Sequence, residues 1–132
     1  MLLNPPPLAR LPFAEFERHS VSNGFDFSSS PDFAPVGQAF IAQFGDLTPP
    51  TAGGVVEPAG RKIVTVSPSG QVTNFLTSAT DPALAVFRPT DATFDPSGRV
   101  LYVTHFGDVR AVPGGILPAV ATGALLRIVR TG

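Results

Sequence analysis

The sequence predicts an all-β protein, and three observations support that class: an internal repeat, frequent chain-breaking residues, and apolar side chains that alternate with polar ones. Its 132 residues include 13 Gly and 15 Pro. These two residue types interrupt long helices and suit short strands joined by turns. The hydrophobic share is 43%, which is too high for a disordered chain. The chain is also long enough to bury a core of its own.

The internal repeat becomes visible when two Phe-Gly-Asp triplets are aligned. Residues 100–109 (VLYVTHFGDV) then match residues 38–47 (QAFIAQFGDL) at an offset of 62, and residues 125–128 (LLRI) fall on 63–66 (IVTV) without a gap. Residues 92–94 (ATF) match 25–27 (FDF) at an offset of 67, so the first copy has five extra loop residues. The repeat predicts two β-rich units, 19–80 and 86–132, after an extended Pro-rich lead-in, 1–18.

The strands of the first unit follow from alternation and from turn signals. Phe25 and Phe27 flank a polar residue, which places both rings on one face. Two further strands are joined by Pro68-Ser-Gly70, a hairpin turn in which Gly can adopt positive φ. Strands are predicted at 25–27, 38–44, 62–67 and 71–76.

The second unit uses the same devices. Its strands are predicted at 92–94, 99–105 and 125–128, and Asp95-Pro-Ser-Gly98 repeats the Pro-Ser-Gly turn. The carboxylate of Asp95 can cap that turn. Residues 48–60 and 112–123 are predicted as Pro- and Gly-rich loops that follow the two Phe-Gly-Asp triplets.

Repeated units of about four antiparallel strands in some 40–50 residues are typical of β-propeller blades. The sequence therefore predicts about two to three blades. Propellers close rings of roughly 4–8 blades, because closure covers the edges of each sheet. We expect a fragment of a larger ring; a chain that completes its ring by self-association is the alternative.

Composition excludes several function classes. The net charge is −1 and Lys62 is the only lysine, which gives no electrostatic basis for binding nucleic acid or an anionic membrane. The absence of Cys excludes disulfides and thiolate chemistry. No segment approaches the ~20 apolar residues of a membrane span, and the N-terminus does not have the pattern of a signal peptide. The sequence assigns no compartment.

Residues 88–103 (RPTDATFDPSGRVLYV), with Phe106-Gly107 and residues 123–128 (GALLRI), resemble the C-terminal end of the glucose/sorbosone dehydrogenase family. Residues 19–24 (HSVSNG) and 37–42 (GQAFIA) resemble its preceding blade. The resemblance implies a six-bladed propeller that oxidises an aldose or related sugar with pyrroloquinoline quinone and calcium. Proteins of this family are often exported. It also implies that most of the active site lies outside this chain, so that the fragment alone is inactive.

Two departures from the family pattern and one alternative accompany this resemblance. Thr104-His105 stand where the family commonly has an acidic residue, and residues 44–47 (FGDL) replace a His-Gly-Ser-Trp-Asn-Arg-like segment. The pattern Arg-Pro, Asp-Pro-Ser-Gly and Leu-Tyr-Val also occurs in propellers of the NHL type, which often only bind. A non-catalytic binding or scaffold module is therefore the alternative function.

Three residues are candidates for a functional site. By their position in the matching segments, the resemblance implies His19 as the catalytic base and Arg88 as a cation that binds the cofactor carboxylates. The structural alternatives are a hydrogen-bonding role for His19 and a salt bridge between blades for Arg88. His105 lies at a strand end and is a candidate for a side chain that faces the central channel.

No metal site is predicted within the chain. Asp46 and Asp108 recur at the same repeat position, which indicates a structural role, and calcium requires 6–8 oxygen ligands. The aromatic residues Phe40, Tyr102, Phe44 and Phe106 are predicted to pack within or between blades.

Overall fold

The structure is a computed structural model, and it describes residues 11–46, 59–77 and 87–131. In these three ranges the chain forms β-strands and no helix, which confirms the all-β prediction. No helix in this part of the chain has the length and apolar character needed to cross a membrane. The strands are β1 (Ser22–Phe27), β2 (Ala39–Gln43), β3 (Lys62–Val66), β4 (Val72–Thr77), β5 (Pro89–Phe94), β6 (Val100–His105), β7 (Val109–Val112), β8 (Gly115–Pro118) and β9 (Ala124–Val129).

The strands form two main antiparallel sheets. The first sheet has four strands in the order β1-β2-β3-β4, so each strand pairs with its neighbour in sequence. The second has three strands in the order β5-β6-β9. The predicted turn between β3 and β4 is present: the Gly70 N–H donates to the carbonyl of Ser67 at 2.9 Å, and Gly70 has a φ of 87°.

The sequence offset recurs as a strand register. Ala39 of β2 is opposite Val66 of β3, and Leu101 of β6 is opposite Ile128 of β9, so both partners move by 62 residues. Every described β2–β3 pair has its counterpart in the β6–β9 ladder. The two sheets therefore share a pairing register as well as a sequence pattern.

The first strand of each sheet repeats in the same way, at an offset of 67. Phe27 and Phe94 occupy equivalent positions, opposite Ala39 and Leu101 respectively. Each of these ladders also contains one register shift at the equivalent place, next to the pairs Ser22–Gln43 and Pro89–His105. A bulge that recurs in both units bends both first strands alike.

The two sheets pack face to face around a core of aromatic and aliphatic residues. Phe94 contributes a ring to this core at 5.0 Å from the ring centre of Phe33 and 5.2 Å from that of Phe40. Both contacts are T-shaped, the arrangement that aromatic quadrupoles favour. Strands β1 and β2 of the first sheet contact β5 of the second. The buried core cluster consists of Phe33, Ala34, Phe40, Ala42, Ile63, Phe87, Ala92, Phe94, Leu101 and Val103.

Equivalent residues of the two sheets do not all share the same environment. Phe40 is 1% exposed, whereas its repeat partner Tyr102 is 36% exposed. The reason is geometric. The two sheets are alike and stack in the same orientation, so the face of the first sheet that carries Phe40 packs against the face of the second sheet that does not carry Tyr102. Phe40 therefore lies between the sheets, and Tyr102 lies on the outer face. Tyr102 was predicted to pack within or between blades; it lies outside the core formed by the two described sheets, so only the first of these alternatives is contradicted.

Residues 11–18 of the lead-in form neither helix nor strand. They run along the outer face of the first sheet, where Phe13 and Phe16 line a cleft together with Phe25, Phe27 and Ile41. Its Glu17 carboxylate accepts a hydrogen bond from the Gly60 N–H at 3.0 Å and forms an ion pair with Lys62 at 2.7 Å. Burial is the largest single influence on the pKa of Glu17 and raises it. The contacts with Lys62 and Gly60 together outweigh burial, so the pKa is lowered overall. Residues 1–10, the loop at 47–58 and the connection at 78–86 lie outside the described ranges.

A hairpin of β7 and β8 occupies most of the segment that was predicted as a loop. Its strands pair antiparallel from Val109–Pro118 to Val112–Gly115. Pro113 and Pro118 led to the loop prediction, because proline removes a backbone donor. In a two-stranded hairpin each strand has a neighbour on one side only. A proline at a strand end or in the turn therefore removes no hydrogen bond from the middle of a sheet.

Candidate functional site

The two Phe-Gly-Asp loops meet where β2 and β6 end. The rings of Phe44 and Phe106 are in T-shaped contact, with centroids 6.0 Å apart and planes at 71°. Gly45 and Gly107 have φ values of 85° and 93°, a conformation that favours glycine. The repeat thus produces two loops that share one glycine conformation and are in direct contact.

Arg88 joins these loops across the two sheets. It is 4% exposed, and its Nη1 donates to the carbonyl of Asp46 at 2.9 Å and to that of Phe44 at 3.3 Å. The guanidinium carbon lies 5.1 Å from the ring centre of Phe44. The carbonyl of Arg88 in turn accepts a hydrogen bond from the Phe106 N–H at 2.9 Å. Arg88 therefore contacts both loops, through its side chain and through its backbone.

A second arginine and two aspartates surround Arg88. Arg61 Nη2 lies 3.5 Å from the Asp46 carbonyl oxygen and 4.0 Å from Asp46 Oδ1. Burial lowers the pKa of Arg88, as does the charge of Arg61, while the charges of Asp46 and Asp108 raise it. An arginine remains protonated at any physiological pH. Acidic and basic side chains therefore meet around Arg88.

His105 lies beside this cluster, at the end of β6. It is opposite Pro89 in the ladder, and its ring centre lies 5.6 Å from that of Phe87. Burial lowers the pKa of His105, which favours the neutral imidazole. Its Nδ1 is buried and has no hydrogen-bond partner among the residues that the structure describes.

The repeat partner of His105 has the same character. Gln43 is buried, its Nε2 donates to Ser22 Oγ at 3.3 Å, and its Oε1 has no partner within the described ranges. A polar side chain with one buried atom that has no described partner thus recurs at this position of both units. The repetition indicates that a buried polar side chain at this position is a feature of the fold. It gives no reason to assign a special chemical role to His105.

His19 makes no described contact with the other two candidates. Its side chain is exposed, and its φ of 62° is unusual for a residue with a side chain. Within the described part of the chain, no hydrogen bond or ring contact joins it to Arg88 or His105. The residue after it, Ser20, supports the first loop, since the Ser20 carbonyl accepts the Gly45 N–H at 2.9 Å.

The described residues contain no group of three or more His, Cys, Asp or Glu placed to hold a metal ion. Two cations of this cluster could face a cofactor carboxylate: Arg88, whose Nη1 is directed at two backbone carbonyls, and Arg61, whose buried Nε has no partner among the described residues. Sequence reasoning missed Arg61. The available signal was a difference between the copies, because Arg61 stands where the second unit has Gly123.

Comparison with known proteins adds no relative. A scan of the chain against models of protein families, a search of curated proteins and a search of solved structures each returned no match. Any function assigned to the chain therefore depends on the geometry of these loops and on the residues that resemble the dehydrogenase family.

Proposed function

We propose that the two sheets are consecutive blades of a β-propeller. Three observations support this: the shared pairing register at an offset of 62, the sequential strand order of the first sheet, and the stacking of the two sheets in the same sense. The close contact of β1 with β5 agrees with first strands that lie next to each other around a central axis. The recurring bulge supports the same geometry.

We further propose that this chain has a scaffold role and performs no chemistry of its own. The observation that supports the proposal is the orientation of Arg88, whose Nη1 donates hydrogen bonds to the carbonyls of Phe44 and Asp46. A buried guanidinium that satisfies backbone carbonyls holds two units together. A bound carboxylate would have to compete with both carbonyls for Nη1.

The resemblance to glucose/sorbosone dehydrogenases supports a larger propeller that oxidises a sugar with pyrroloquinoline quinone and calcium. In such a protein this chain would supply blades. His19, whose side chain is exposed, would be its candidate for the general base. The NHL-like binding module is the second candidate. The absence of a metal-binding group among the described residues is compatible with either, and the Arg88 contacts favour the non-catalytic role.

The scaffold role can be tested with the purified chain. Pyrroloquinoline quinone and calcium would be added, and dye reduction followed with several aldoses, while quinone absorbance reports binding. We expect neither turnover nor a saturable spectral change. Sugar-dependent dye reduction that disappears in His19→Ala would overturn the proposal. A spectral change that disappears in Arg88→Met, with the circular dichroism spectrum intact, would overturn the tethering role of Arg88.

A further inference from the structure

The outer face of the first sheet carries apolar side chains that lie outside the core between the two sheets. Ala39 and Val66 are 7% and 4% exposed, yet neither belongs to the core cluster that the two sheets share. They are opposite each other in the β2–β3 ladder, and Ala39 is also opposite Phe27 of β1. Side chains that are opposite each other in antiparallel strands share a face. The first sheet therefore has a second apolar layer, on the side that points away from the second sheet.

The repeat identifies what kind of surface this outer face is. Three of its residues have their repeat partners in the second sheet, at an offset of 62: Leu101 for Ala39, Val103 for Ile41 and Ile128 for Val66. Leu101 and Val103 belong to the core between the sheets, and Ile128 packs against that core. The outer face of the first sheet is therefore equivalent to the face with which the second sheet packs on the first. A further sheet that stacked in the same way would cover it.

Residues 11–18 of the chain itself, which we call the strap, partly cover this face. Phe13 and Phe16 of the strap line a cleft of about 380 Å³, and the opposite wall of the cleft includes Phe27, Ile41 and Val66 of the sheet. Aromatic side chains of the strap thus lie over the residues whose repeat partners pack against another sheet. The strap takes the position that a neighbouring sheet would otherwise occupy.

The strap is attached to the first sheet at both ends of β3. Beyond the end of β3, the backbone of Phe13 lies against the β3–β4 turn, because a Cβ added at Gly70 would lie 2.7 Å from the Phe13 carbonyl oxygen. At the start of β3, the Glu17 carboxylate accepts a hydrogen bond from the Gly60 N–H and pairs with Lys62 Nζ at 2.7 Å. The strap therefore crosses the sheet along β3.

These attachments are weak in comparison with those that hold the sheets together. Residues 11–18 are not part of any strand ladder, and Phe13 is 69% exposed. The Glu17 side chain is 45% exposed, and ion pairs in contact with water contribute little to stability. A segment with few buried contacts opens at a lower free energy than the core of the fold. The strap can therefore leave the sheet while the sheets stay folded.

We propose that the strap is a displaceable cover of the outer face: it opens without unfolding of the sheets, and while it is closed it prevents another sheet from stacking on the first. This inference rests on the proposed function, in which the two sheets are blades that stack by equivalent faces. The chain itself thereby controls access to its own stacking surface. Ion pairing at Glu17 and burial of Phe16 hold the cover closed.

Thiol labelling tests the opening directly, because the chain has no Cys of its own. Ala39→Cys places a thiol on the outer face, and Ala42→Cys places one on the opposite face of β2, in the core between the sheets; both positions are buried. We expect a maleimide to react at least about tenfold faster with Ala39→Cys, and Val66→Cys to behave like it, since the strap opens more readily than the sheets separate. Equally slow reactions would overturn the strap opening. Equally fast reactions would show that the sheets do not stack, which would overturn the blade proposal instead.

Matched substitutions in the strap test what holds it closed. Phe16→Ser should speed the labelling of Ala39→Cys by at least about tenfold, whereas Leu11→Ser, at a position that is 92% exposed and outside the cleft, should change it less than about twofold. Glu17→Gln removes the ion pair and should speed labelling about two- to fivefold. Glu15→Gln is its control, because Glu15 has no ion pair within the described residues. Labelling of the core thiol should be unchanged throughout, and equal effects of the two serine variants would contradict the role of the strap.

Sedimentation at increasing protein concentration tests whether the closed strap prevents stacking. We expect the wild type to stay monomeric and Phe16→Ser to associate, because in a solution of the purified chain a second copy supplies the sheet that can stack on the uncovered apolar face. Ile41→Lys, added to Phe16→Ser, places a charge on that face and should restore the monomer. A Phe16→Ser chain that labels rapidly but stays monomeric, or a wild type that associates equally, would overturn the barrier. These failures would leave the scaffold role standing, because that role is tested by quinone binding and turnover.

Discussion

The guanidinium of Arg88 lies over the ring of Phe44, at 5.1 Å from its centre, and donates a 3.3 Å hydrogen bond to the carbonyl of the same residue. One side chain thereby holds both the ring and the backbone of a residue 44 positions earlier in the chain. The pairing combines a cation–π contact with charge-assisted hydrogen bonds. Because Arg88 is buried, water cannot readily replace these contacts.

Replacement of Arg88 by methionine should destabilise the chain strongly. The variant Arg88→Met keeps an apolar stem but leaves the carbonyls of Phe44 and Asp46 without this donor. We expect the free energy of unfolding to fall by about 2–4 kcal/mol, since buried groups lose charge-assisted hydrogen bonds. Urea unfolding followed by far-ultraviolet circular dichroism measures the change.

Arg99 provides the matched control for that prediction. It forms an ion pair with Asp32 at 2.8 Å, but both side chains are more than half exposed. Exposed ion pairs contribute about 0–1 kcal/mol, so Arg99→Met should cost little. Losses of similar size in the two variants would contradict the tethering role of Arg88.

Local sequence patterns predicted most of the strands, because alternation and turn chemistry act over a few residues. Phe25 and Phe27 do share a face, with rings in T-shaped contact at 5.7 Å, and Asp95 does cap its turn. The environment of Tyr102 could not be predicted in this way. Alternation assigns a residue to a face, but the stacking of the sheets decides which face is buried.

The Arg88 contacts were equally beyond sequence reasoning. The resemblance singled out Arg88, but its acceptors are backbone carbonyls in the preceding unit, and a carbonyl carries no sequence signature. The β7–β8 hairpin was missed for a different reason. Prolines at 113 and 118 obscured a short strand pattern that a free-standing hairpin tolerates.

Substitution of Gly107 should cost more than its backbone conformation alone requires. Its φ is 93°, and an added Cβ would lie against Thr122. Gly114 is the control, with a φ of 90° and no atom within 4 Å of an added Cβ. We expect Gly114→Ala to cost about 1–2 kcal/mol from backbone strain. Gly107→Ala should cost about 1–3 kcal/mol more from the steric conflict, as measured by urea unfolding. Equal costs would show that the Phe-Gly-Asp loop adjusts freely.

The cap at Asp95 should make part of the stability depend on acid pH. A hydrogen bond from the Ser97 hydroxyl at 2.7 Å lowers the pKa of Asp95, with further help from the N–H groups of Val100 and Arg99. A lowered pKa gives stability that is present above the unfolded value of about 3.9 and is lost as the pH falls through the folded value. The difference in Tm between the wild type and Asp95→Asn should therefore be largest near neutral pH and shrink in acid. Ser97→Ala should show a smaller difference of the same kind, and a difference independent of pH would contradict the cap.

Neutral His105 should make the fold less stable as the pH falls below neutrality. Burial lowers the pKa of His105 in the folded chain, so the unfolded chain, with a pKa of about 6.5, binds the proton more readily. Stability is then complete above about pH 6.5 and is lost as the pH falls through the lower folded value. His105→Gln introduces the residue found at the equivalent position, Gln43, and should flatten this dependence in a series of thermal unfolding curves. His19→Gln, at an exposed position, should keep the wild-type dependence. If His19→Gln flattens the curve and His105→Gln does not, the burial of His105 is not the source of the effect.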